Sequence, residues 1–258
     1  MMRRVACLLA VVSLAACGFG PLEGRATDEW TKTYQLPAGG EIEIGNTNGR
    51  IDVEGVDGTT ADVRAERIAR ATTDEAAKEL LPRIKINEDV KPNHITIETV
   101  KMGGIMLGAG VEVRYTVRAP KNAVVTLTNT NGLISIKNLS GRTSAHTTNG
   151  GVRGNDMAGA VDAGATNGGV NVDFAVIGKD PITLTTTNGG VAINLPEDAK
   201  ADVVATCTNG GINVSGVKME MTEQSRRRVE GKINGGGAAI ELKTTNGGIR
   251  IRGRSERG

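Results

Sequence analysis

The chain has 258 residues and a formal net charge of +2, with 36 glycines but only one tryptophan, two tyrosines and two phenylalanines. A nearly neutral chain gives no indication of a nucleic-acid partner. With so few aromatic side chains, valine, isoleucine, leucine and alanine must fill the core, which suits a narrow core better than that of a typical globular enzyme. Of three cysteines, one lies beyond position 17, so no internal disulfide is expected to stabilise the fold.

The N-terminal end has the layout of a secretory signal peptide. A basic start is followed by an apolar run over residues 5–14 that is too short to cross a bilayer. The run ends in the sequence LAAC at 14–17, which resembles the bacterial lipobox. In such precursors the cysteine receives a diacylglyceryl group and becomes the first residue of the mature chain. We therefore expect a lipoprotein signal peptide over 1–16, a lipidated Cys17, and an anchor and linker over 17–30; an ordinary signal peptide is the alternative.

The residue after the cysteine gives an indication of the cellular location. Gram-negative lipoproteins that stay in the inner membrane often carry aspartate there, whereas this chain has Gly18. We expect a lipid-anchored protein of the cell envelope, in the outer membrane if the host is Gram-negative. The first expected partner is the membrane, through lipidated Cys17, and the second is an unidentified envelope protein or glycan.

A repeated Thr-Asn-Gly motif dominates the rest of the chain. When the copies are aligned on the asparagine, apolar residues stand three and five positions later in six of seven copies. Mostly apolar residues also stand four and six positions earlier, so the repeat unit is predicted to be a strand, a corner and a second strand. The seven corner asparagines are Asn48, Asn131, Asn149, Asn167, Asn188, Asn209 and Asn246.

Two architectures fit a repeated Asn-Gly between strands. A meander of hairpins would use it as a tight turn but would not require the same residue at the same place in every turn. In a parallel β-solenoid, equivalent positions stack about 4.8 Å apart, stacked asparagines can hydrogen-bond along the ladder, and glycine permits a positive φ. The constant motif therefore favours an all-β parallel β-solenoid, or β-helix, over residues 31–253, with a tail at 254–258. In this arrangement the threonine before each asparagine is expected to bond the corner, and Cys207 to fill the core.

Two segments interrupt the repeat. Residues 60–119 are predicted to be a cap over the N-terminal end of the solenoid, with helix signals over 72–84 and a strand over 111–117. The cap also contains a predicted hairpin, in which Ile84 and Ile86 face Ile95 and Ile97. The second interruption, over 218–239, is expected to be a short helix or a loop.

One glycine-rich loop, over 102–110, is the candidate contact site. Its apolar side chains suit an adaptable surface. The alternative is that they fold over the open end of the solenoid and belong to the core of the cap. The residues concerned are Met102, Ile105, Met106 and Leu107.

Sites for metals and cofactors are not indicated. The loop lacks the lysine and the Ser/Thr of a phosphate loop. The two histidines, His94 and His146, have no metal-ligand partner at a useful spacing. We therefore expect no metal and no cofactor.

The motifs together resemble a known group of proteins. Repeated Thr-x-Asn-Gly coils after an N-terminal strand, helix and hairpin, over about residues 31–253, are similar to bacterial envelope domains described as candidate adhesins, which are β-strand-repeat domains of unknown function. The resemblance implies a β-solenoid on a secreted or anchored protein. It supplies no catalytic residues to carry over.

Three functions are compatible with these features. The expected one is a non-enzymatic cell-envelope lipoprotein whose solenoid surface serves adhesion, scaffolding or envelope sensing. The alternative is a polysaccharide-active β-helix enzyme, which needs converging carboxylates or a basic residue that the pattern does not bring together. Binding of ice or a crystal surface by a threonine array is the third, and the column three positions before the asparagine is too irregular to match a lattice.

Replacement of the lipobox cysteine tests the anchor. Cys17→Ser removes the thiol that accepts the lipid, so we expect an uncleaved precursor or a soluble periplasmic form. Membrane fractionation and mass spectrometry of the mature N-terminus measure this, because stable anchoring needs several acyl chains. A mature wild-type chain that begins elsewhere and carries no lipid would contradict the prediction.

Overall fold

The computed structural model describes residues 23–101 and 108–254, and in these ranges the chain is nearly all β. A seven-residue helix, α1 (Asp74–Leu80), and a 3₁₀ turn (Leu81–Arg83) lie between the fourth and fifth strands. The strands are β1 (Gly24–Gln35), β2 (Glu41–Asn48), β3 (Ile51–Val56), β4 (Thr60–Ala71), β5 (Ile86–Lys91), β6 (His94–Thr99), β7 (Ala109–Pro120), β8 (Val124–Asn131), β9 (Ile134–Lys137), β10 (Thr143–Asn149), β11 (Val152–Met157), β12 (Val161–Asn167), β13 (Val170–Phe174), β14 (Ile182–Asn188), β15 (Val191–Leu195), β16 (Ala201–Asn209), β17 (Ile212–Ser215), β18 (Met219–Gln224), β19 (Arg228–Ile233), β20 (Ala238–Asn246) and β21 (Ile249–Gly253).

The strands form two largely parallel sheets that face each other across the core. Sheet A has ten strands in the order β1-β4-β7-β3-β9-β11-β13-β15-β21-β17. Sheet B has eleven strands in the order β18-β19-β16-β20-β14-β12-β10-β8-β2-β6-β5. Each coil contributes the strand before its Asn-Gly corner to sheet B and the strand after it to sheet A, which confirms the predicted solenoid with repeated corners.

The core is a stack of the predicted inward columns. Residues four positions before the asparagine, from Ile44 to Leu242, are at most 1% exposed in every coil. Cys207 is buried as predicted, and it fills space between the sheets. Only in the coil of β16 and β17 are the inward residues of sheet A, Ile212 and Val214, half-buried, because β17 is the last strand of its sheet.

The corner asparagines form one continuous hydrogen-bonded ladder. In each step the Nδ2 of one asparagine donates to the Oδ1 of the next, with distances of 2.7 to 2.9 Å. Neighbouring corners are also joined through the backbone, as where the Gly132 N–H donates to the Asn149 carbonyl at 2.8 Å. The ladder runs in the order Asn48, Asn131, Asn149, Asn167, Asn188, Asn246 and Asn209.

The glycine after each asparagine is required by close approach, and at five of the seven corners by a positive φ as well. Gly150 has a φ of 155°, and Gly132 has a φ of 145°. A Cβ on Gly150 would lie 2.0 Å from the carbonyl oxygen of Gly132 in the adjacent coil, which is far inside van der Waals contact. The corners therefore stack directly on each other only because no side chain separates them.

The side chain two positions before the asparagine closes the corner. Thr186 Oγ1 donates to the Gly168 carbonyl at 2.7 Å, and Thr244 Oγ1 donates to the Gly189 carbonyl at 2.8 Å. Asn129 Nδ2 donates in the same way to the Gly49 carbonyl at 2.7 Å. The prediction that the threonine directly before the asparagine bonds the corner is wrong, because the bond comes from the inward-facing residue next to it.

The last coil in the sequence is not the last in space. Strand β20 lies between β14 and β16 in sheet B, and β21 lies between β15 and β17 in sheet A. The prediction of a helix or loop over 218–239 is wrong, because β18 and β19 form an antiparallel hairpin there. Val229 and Ile233 of β19 pair with Ala205 and Ala201 of β16, which covers the end of sheet B.

The N-terminal cap extends both sheets. Strands β4 and β7 continue sheet A, and β6 and β5 continue sheet B. Helix α1 begins within the segment predicted to be helical, and Thr73 Oγ1 caps it by accepting from the Ala76 N–H at 3.2 Å. The segment predicted as linker, 17–30, is in fact strand from Gly24 onward, because β1 pairs along its whole length with β4.

The register of the predicted hairpin in the cap is also different. Ile86 lies opposite Thr99, and Ile95 lies opposite Val90, whereas Ile84 precedes the strand and is buried. The reason is the two-residue turn between Lys91 and His94, in which Asn93 has a φ of 65° and fixes the pairing.

A pair of substitutions on adjacent residues tests the inward register. Ile193 is fully buried, whereas Ala192 faces outward beside Arg250 of β21. Ile193→Asp places an unpaired carboxylate in the core and should destabilise the fold by about 3 kcal/mol or more, while Ala192→Asp should change stability by about 0.5 kcal/mol or less. Thermal unfolding followed by circular dichroism measures both. Equal losses would show that the register is wrong.

Candidate functional site

A long open groove runs along the outer face of sheet B, next to the corners. Its volume is about 720 Å³. It is lined by residues one, two and three positions before the corner asparagines, and it crosses β6, β2, β8, β10, β12, β14 and β20 in their spatial order. We call this feature the threonine groove. Its lining includes Thr47, Thr99, Thr128, Thr130, Thr147, Thr148, Thr166, Thr185, Thr186, Thr187 and Thr245.

The most regular part of the groove is the column directly before the asparagine. Six threonines of this column line the groove, one in each successive coil, and all are exposed or half-buried. The Thr47 backbone N–H is bonded to Asn46 Oδ1, but within the described part of the chain no hydroxyl of the column bonds to another protein atom. The six are Thr47, Thr130, Thr148, Thr166, Thr187 and Thr245.

Charged side chains border the groove mainly at its ends. Glu98 and Lys101 lie at the end next to the cap, and Lys243 lies in β20 at the other end. In the middle, the His146 ring lies over Gly164, where a Cβ would be 2.6 Å from its Nδ1, and its Nε2 is 3.5 Å from Asp162 Oδ2. The surface between these points carries hydroxyl, methyl and backbone groups.

The end of the groove next to the cap is fixed by a buried tyrosine. Tyr115 of β7 is fully buried, and its hydroxyl shares a hydrogen bond of 2.8 Å with Thr99 Oγ1, which belongs to the groove lining. Burial raises the pKa of the Tyr115 phenol to about 12. The phenol therefore stays neutral at physiological pH and holds Thr99 in place.

One buried polar atom in the lining has no partner. Asn129 is 5% exposed, and its Nδ2 donates to the Gly49 carbonyl, which fixes the orientation of its amide. Among the buried side-chain oxygen and nitrogen atoms of the described residues, the Asn129 Oδ1 is the one that makes no hydrogen bond. Asn46, the equivalent residue in the neighbouring coil, differs because its Oδ1 accepts from the Thr47 N–H at 3.0 Å.

The structure describes some of the site residues that were predicted from the sequence, and others lie outside the described ranges. The corner asparagines form the ladder beside the groove. Cys17 and the contact-loop residues Met102, Ile105, Met106 and Leu107 lie outside the described residues. That loop connects Lys101, at the end of the groove, to Gly108.

Residues 23–101 and 108–254 lack two further features. No group of three or more histidines, cysteines, aspartates or glutamates in these ranges is placed to hold a metal ion. In the same ranges no helix has the length and apolar character needed to cross a membrane.

The sequence contains a signal for the groove, namely the threonine that precedes each corner asparagine, although that threonine is predicted to bond the corner. Threonine precedes the asparagine in all seven copies of the motif, and the corner itself does not use that hydroxyl. A polar side chain that recurs at the same outward position and has no partner within the protein indicates a surface that is available for contacts. That conclusion needs the structure, because the sequence does not show which of two adjacent residues bonds the corner.

The fold and the groove define a class of protein. Two facing sheets of parallel strands, joined at stacked Asn-Gly corners and closed by an N-terminal cap, make a two-sheet β-solenoid. The sequence model of the toastrack DUF4097 family matches residues 38–252. Since this match covers most of the chain, the protein belongs to the toastrack DUF4097 family.

Solved structures with a similar chain path come from several bacteria. A candidate cell adhesion protein from Clostridium sporogenes is 12% identical, with 89% of this chain and 100% of that chain covered and a TM-score of 0.47. A candidate adhesin from Bacteroides fragilis is 11% identical, with 88% and 97% covered and a TM-score of 0.32. A candidate lipid-binding protein from Parabacteroides distasonis is 9% identical, with 89% and 95% covered and a TM-score of 0.24. A search of curated proteins found no match.

One corner in the groove, that of Ala165, has no side-chain donor to close it, and introducing one is a test of the geometry. Ala165 occupies the position from which Thr147, one coil away, donates to the Gly132 carbonyl. Ala165→Thr should donate to the Gly150 carbonyl and stabilise the protein by about 0.5–1.5 kcal/mol. Ala165→Val has nearly the same shape without the hydroxyl and should give no such gain. Equal unfolding midpoints for the two variants would contradict the assigned role.

Proposed function

We propose that this protein is a non-enzymatic, lipid-anchored binding protein of the cell envelope, and that the threonine groove is the surface with which it adheres to its partner. Within the range that the sequence allows, adhesion is favoured over scaffolding and sensing. The single observation that carries this choice is the column of six outward threonines whose hydroxyls have no partner in the described part of the chain. Each hydroxyl offers one donor and two acceptor positions to a ligand.

The groove is suited to binding because its shape is set before a ligand arrives. Each strand beneath it is paired with a neighbour on both sides, from β2 to β20. The inward residues of the same strands, such as Leu127 and Leu184, are fully buried. A surface held in this way loses little conformational freedom on binding, so more of the contact energy appears as affinity.

The lining argues for binding rather than for chemistry. Among the described residues that line the groove, one carries a carboxylate: Glu98, which lies at one end. Hydrolysis of a polysaccharide by paired carboxylates requires two such groups on either side of the scissile bond. His146 is the base among the described groove residues, and it faces Asp162 without a hydrogen bond to any threonine of the column, so the row of hydroxyls is not an activated nucleophile.

The proposal also includes a lipid anchor and a location at the outer membrane. Lipidation at Cys17 would hold the solenoid at a membrane surface, and Gly18 favours the outer membrane in a Gram-negative host. The segment from Cys17 to the start of β1 at Gly24 is short, so the cap would lie close to the membrane. The loop that contains Met106 and Leu107 is a second proposed contact site for the envelope partner.

Two double variants on the same strands test whether the groove binds. Thr130→Lys with Thr187→Lys adds two long charged side chains inside the groove, on β8 and β14. Thr126→Lys with Thr183→Lys adds them to the same strands four residues away, outside its lining. The full lipidated chain, purified in detergent and immobilised, is exposed to isolated cell envelopes, and the retained envelope material is measured.

The proposal predicts that the groove variant retains much less envelope material than the wild type and that the outer variant retains an unchanged amount. Circular dichroism should show that both variants are folded. Equal retention by all three proteins would overturn the groove as the contact surface.

A further inference from the structure

We infer that the ligand of the threonine groove is an uncharged, hydroxyl-rich glycan chain that lies along the stack of coils, across the strands. This inference rests on the proposed function and names the class of ligand for the same site. Four features of the groove support this ligand: the chemistry of its lining, the position of its charges, its length and one unpartnered amide.

The hydrogen-bonding groups of the lining match those of a sugar chain. A threonine hydroxyl both donates and accepts, and so does each hydroxyl of a sugar, so partners can be satisfied in either direction. The threonine methyl groups offer small apolar contacts between the hydroxyls. An apolar ligand would leave these hydroxyls without partners, which opposes its binding.

The charges argue for a ligand without charge. Between Thr130 and Thr187 the described lining contains one titratable side chain, His146, which already faces Asp162 at 3.5 Å. Lys101 and Lys243 lie at opposite ends and cannot form a continuous row of cations. An anionic polymer such as a nucleic acid or a phosphorylated glycan requires such a row along its length.

The groove also disfavours a peptide. A peptide that binds by strand addition needs an unpaired sheet edge. The groove instead lies on a face, because each of its strands from β2 to β20 is paired on both sides. Its contacts are therefore made by side chains, in rows that repeat at the spacing between strands.

The length of the groove indicates a polymer rather than a single small molecule. Six threonines in six successive coils span about 24 Å, since neighbouring strands lie about 4.8 Å apart. A chain of sugar units that lies along this column would meet equivalent groups in each coil. Weak contacts that repeat along one chain add in the manner of a multivalent interaction.

Asn129 provides an independent indication of a ligand. Asn129 is one of the residues that line the groove and is 5% exposed, and its Oδ1 has no hydrogen-bond donor in the described structure. The adjacent lining residues Thr128 and Thr130 are outward threonines. This oxygen is fully covered in the free protein and belongs to the inward column, so a ligand hydroxyl would have to enter between the two threonines to supply the donor that it lacks.

The experiment uses the full lipidated chain in detergent and an array of neutral and anionic oligosaccharides. The test variant is Thr148→Val with Thr166→Val and Thr187→Val, which removes three hydroxyls and keeps the shape. The control is Thr126→Val with Thr183→Val, on the same face outside the groove. Asn129→Thr removes the unpartnered amide oxygen but keeps a donor for the Gly49 carbonyl, as Thr147 does for Gly132.

The inference predicts binding of neutral glycans, tighter for longer chains and unchanged by salt, because no ion pairs form. The triple variant and Asn129→Thr should each weaken this binding about tenfold or more, and the control should not. Thermal unfolding should show that all variants are folded.

Other outcomes overturn the inference. Selective binding of anionic glycans, or an array without any binding, refutes the ligand class; if envelope retention still depends on Thr130 and Thr187, the proposed function survives. Glycan binding that is equal in the triple variant and the control refutes the site. Thermal hysteresis of ice growth that is lost in the triple variant would replace the glycan with a crystal surface.

Discussion

Direct stacking of the Asn-Gly corners is the constraint on which the rest of this structure depends. A Cβ at Gly132, Gly150 or Gly189 would lie about 2 Å from a carbonyl oxygen of the adjacent coil, so only glycine allows neighbouring coils to approach within strand-pairing distance at the corner. Once the corners stack, the asparagines are brought into the ladder of 2.7 to 2.9 Å bonds, and the backbone amides of the corner find their partners. The same contact sets the register of both sheets, because the corner asparagines pair with each other in every parallel pair of repeat strands in sheet B.

The groove follows from this register. When the asparagines are aligned, the residues before them are aligned too, so one threonine in each repeat becomes a straight row of hydroxyls. The inward residue two positions before the asparagine, as in Thr186 and Thr244, bonds the corner and leaves the outward threonine free. A structural repeat thereby produces a repeated surface, which is the basis for proposing a polymeric ligand at the envelope.

Much of the fold could be predicted from the sequence, since the repeat carries it. The inward columns, the corners and the helix capped by Thr73 follow from periodicity and capping preferences. The placement of β20 between β14 and β16 could not be predicted, because every coil presents the same columns and pairs equally well with any other. The start of strand β1 could not be predicted, because residues 24–30 are mostly polar; the pairing of β1 with β4 is supported by ion pairs such as Arg64 with Glu29 at 2.7 Å. The groove could not be predicted either, because the sequence does not show which of two adjacent polar residues, such as Thr186 and Thr187, bonds the corner and which one faces outward.

The most direct test of the account is the unfolding midpoint of two charge-matched variants. Asn167 donates to Asn149 and accepts from Asn188, both at 2.9 Å, so Asn167→Asp removes the donor and places oxygen against oxygen in the ladder. Asn171→Asp makes the same chemical change on the exposed face of β13. The account predicts that Asn167→Asp loses about 1–3 kcal/mol of stability, with a midpoint lower by about 2–4 °C per kcal/mol, and that Asn171→Asp changes little. Equal midpoints for the two variants would show that the asparagine ladder does not hold the solenoid together.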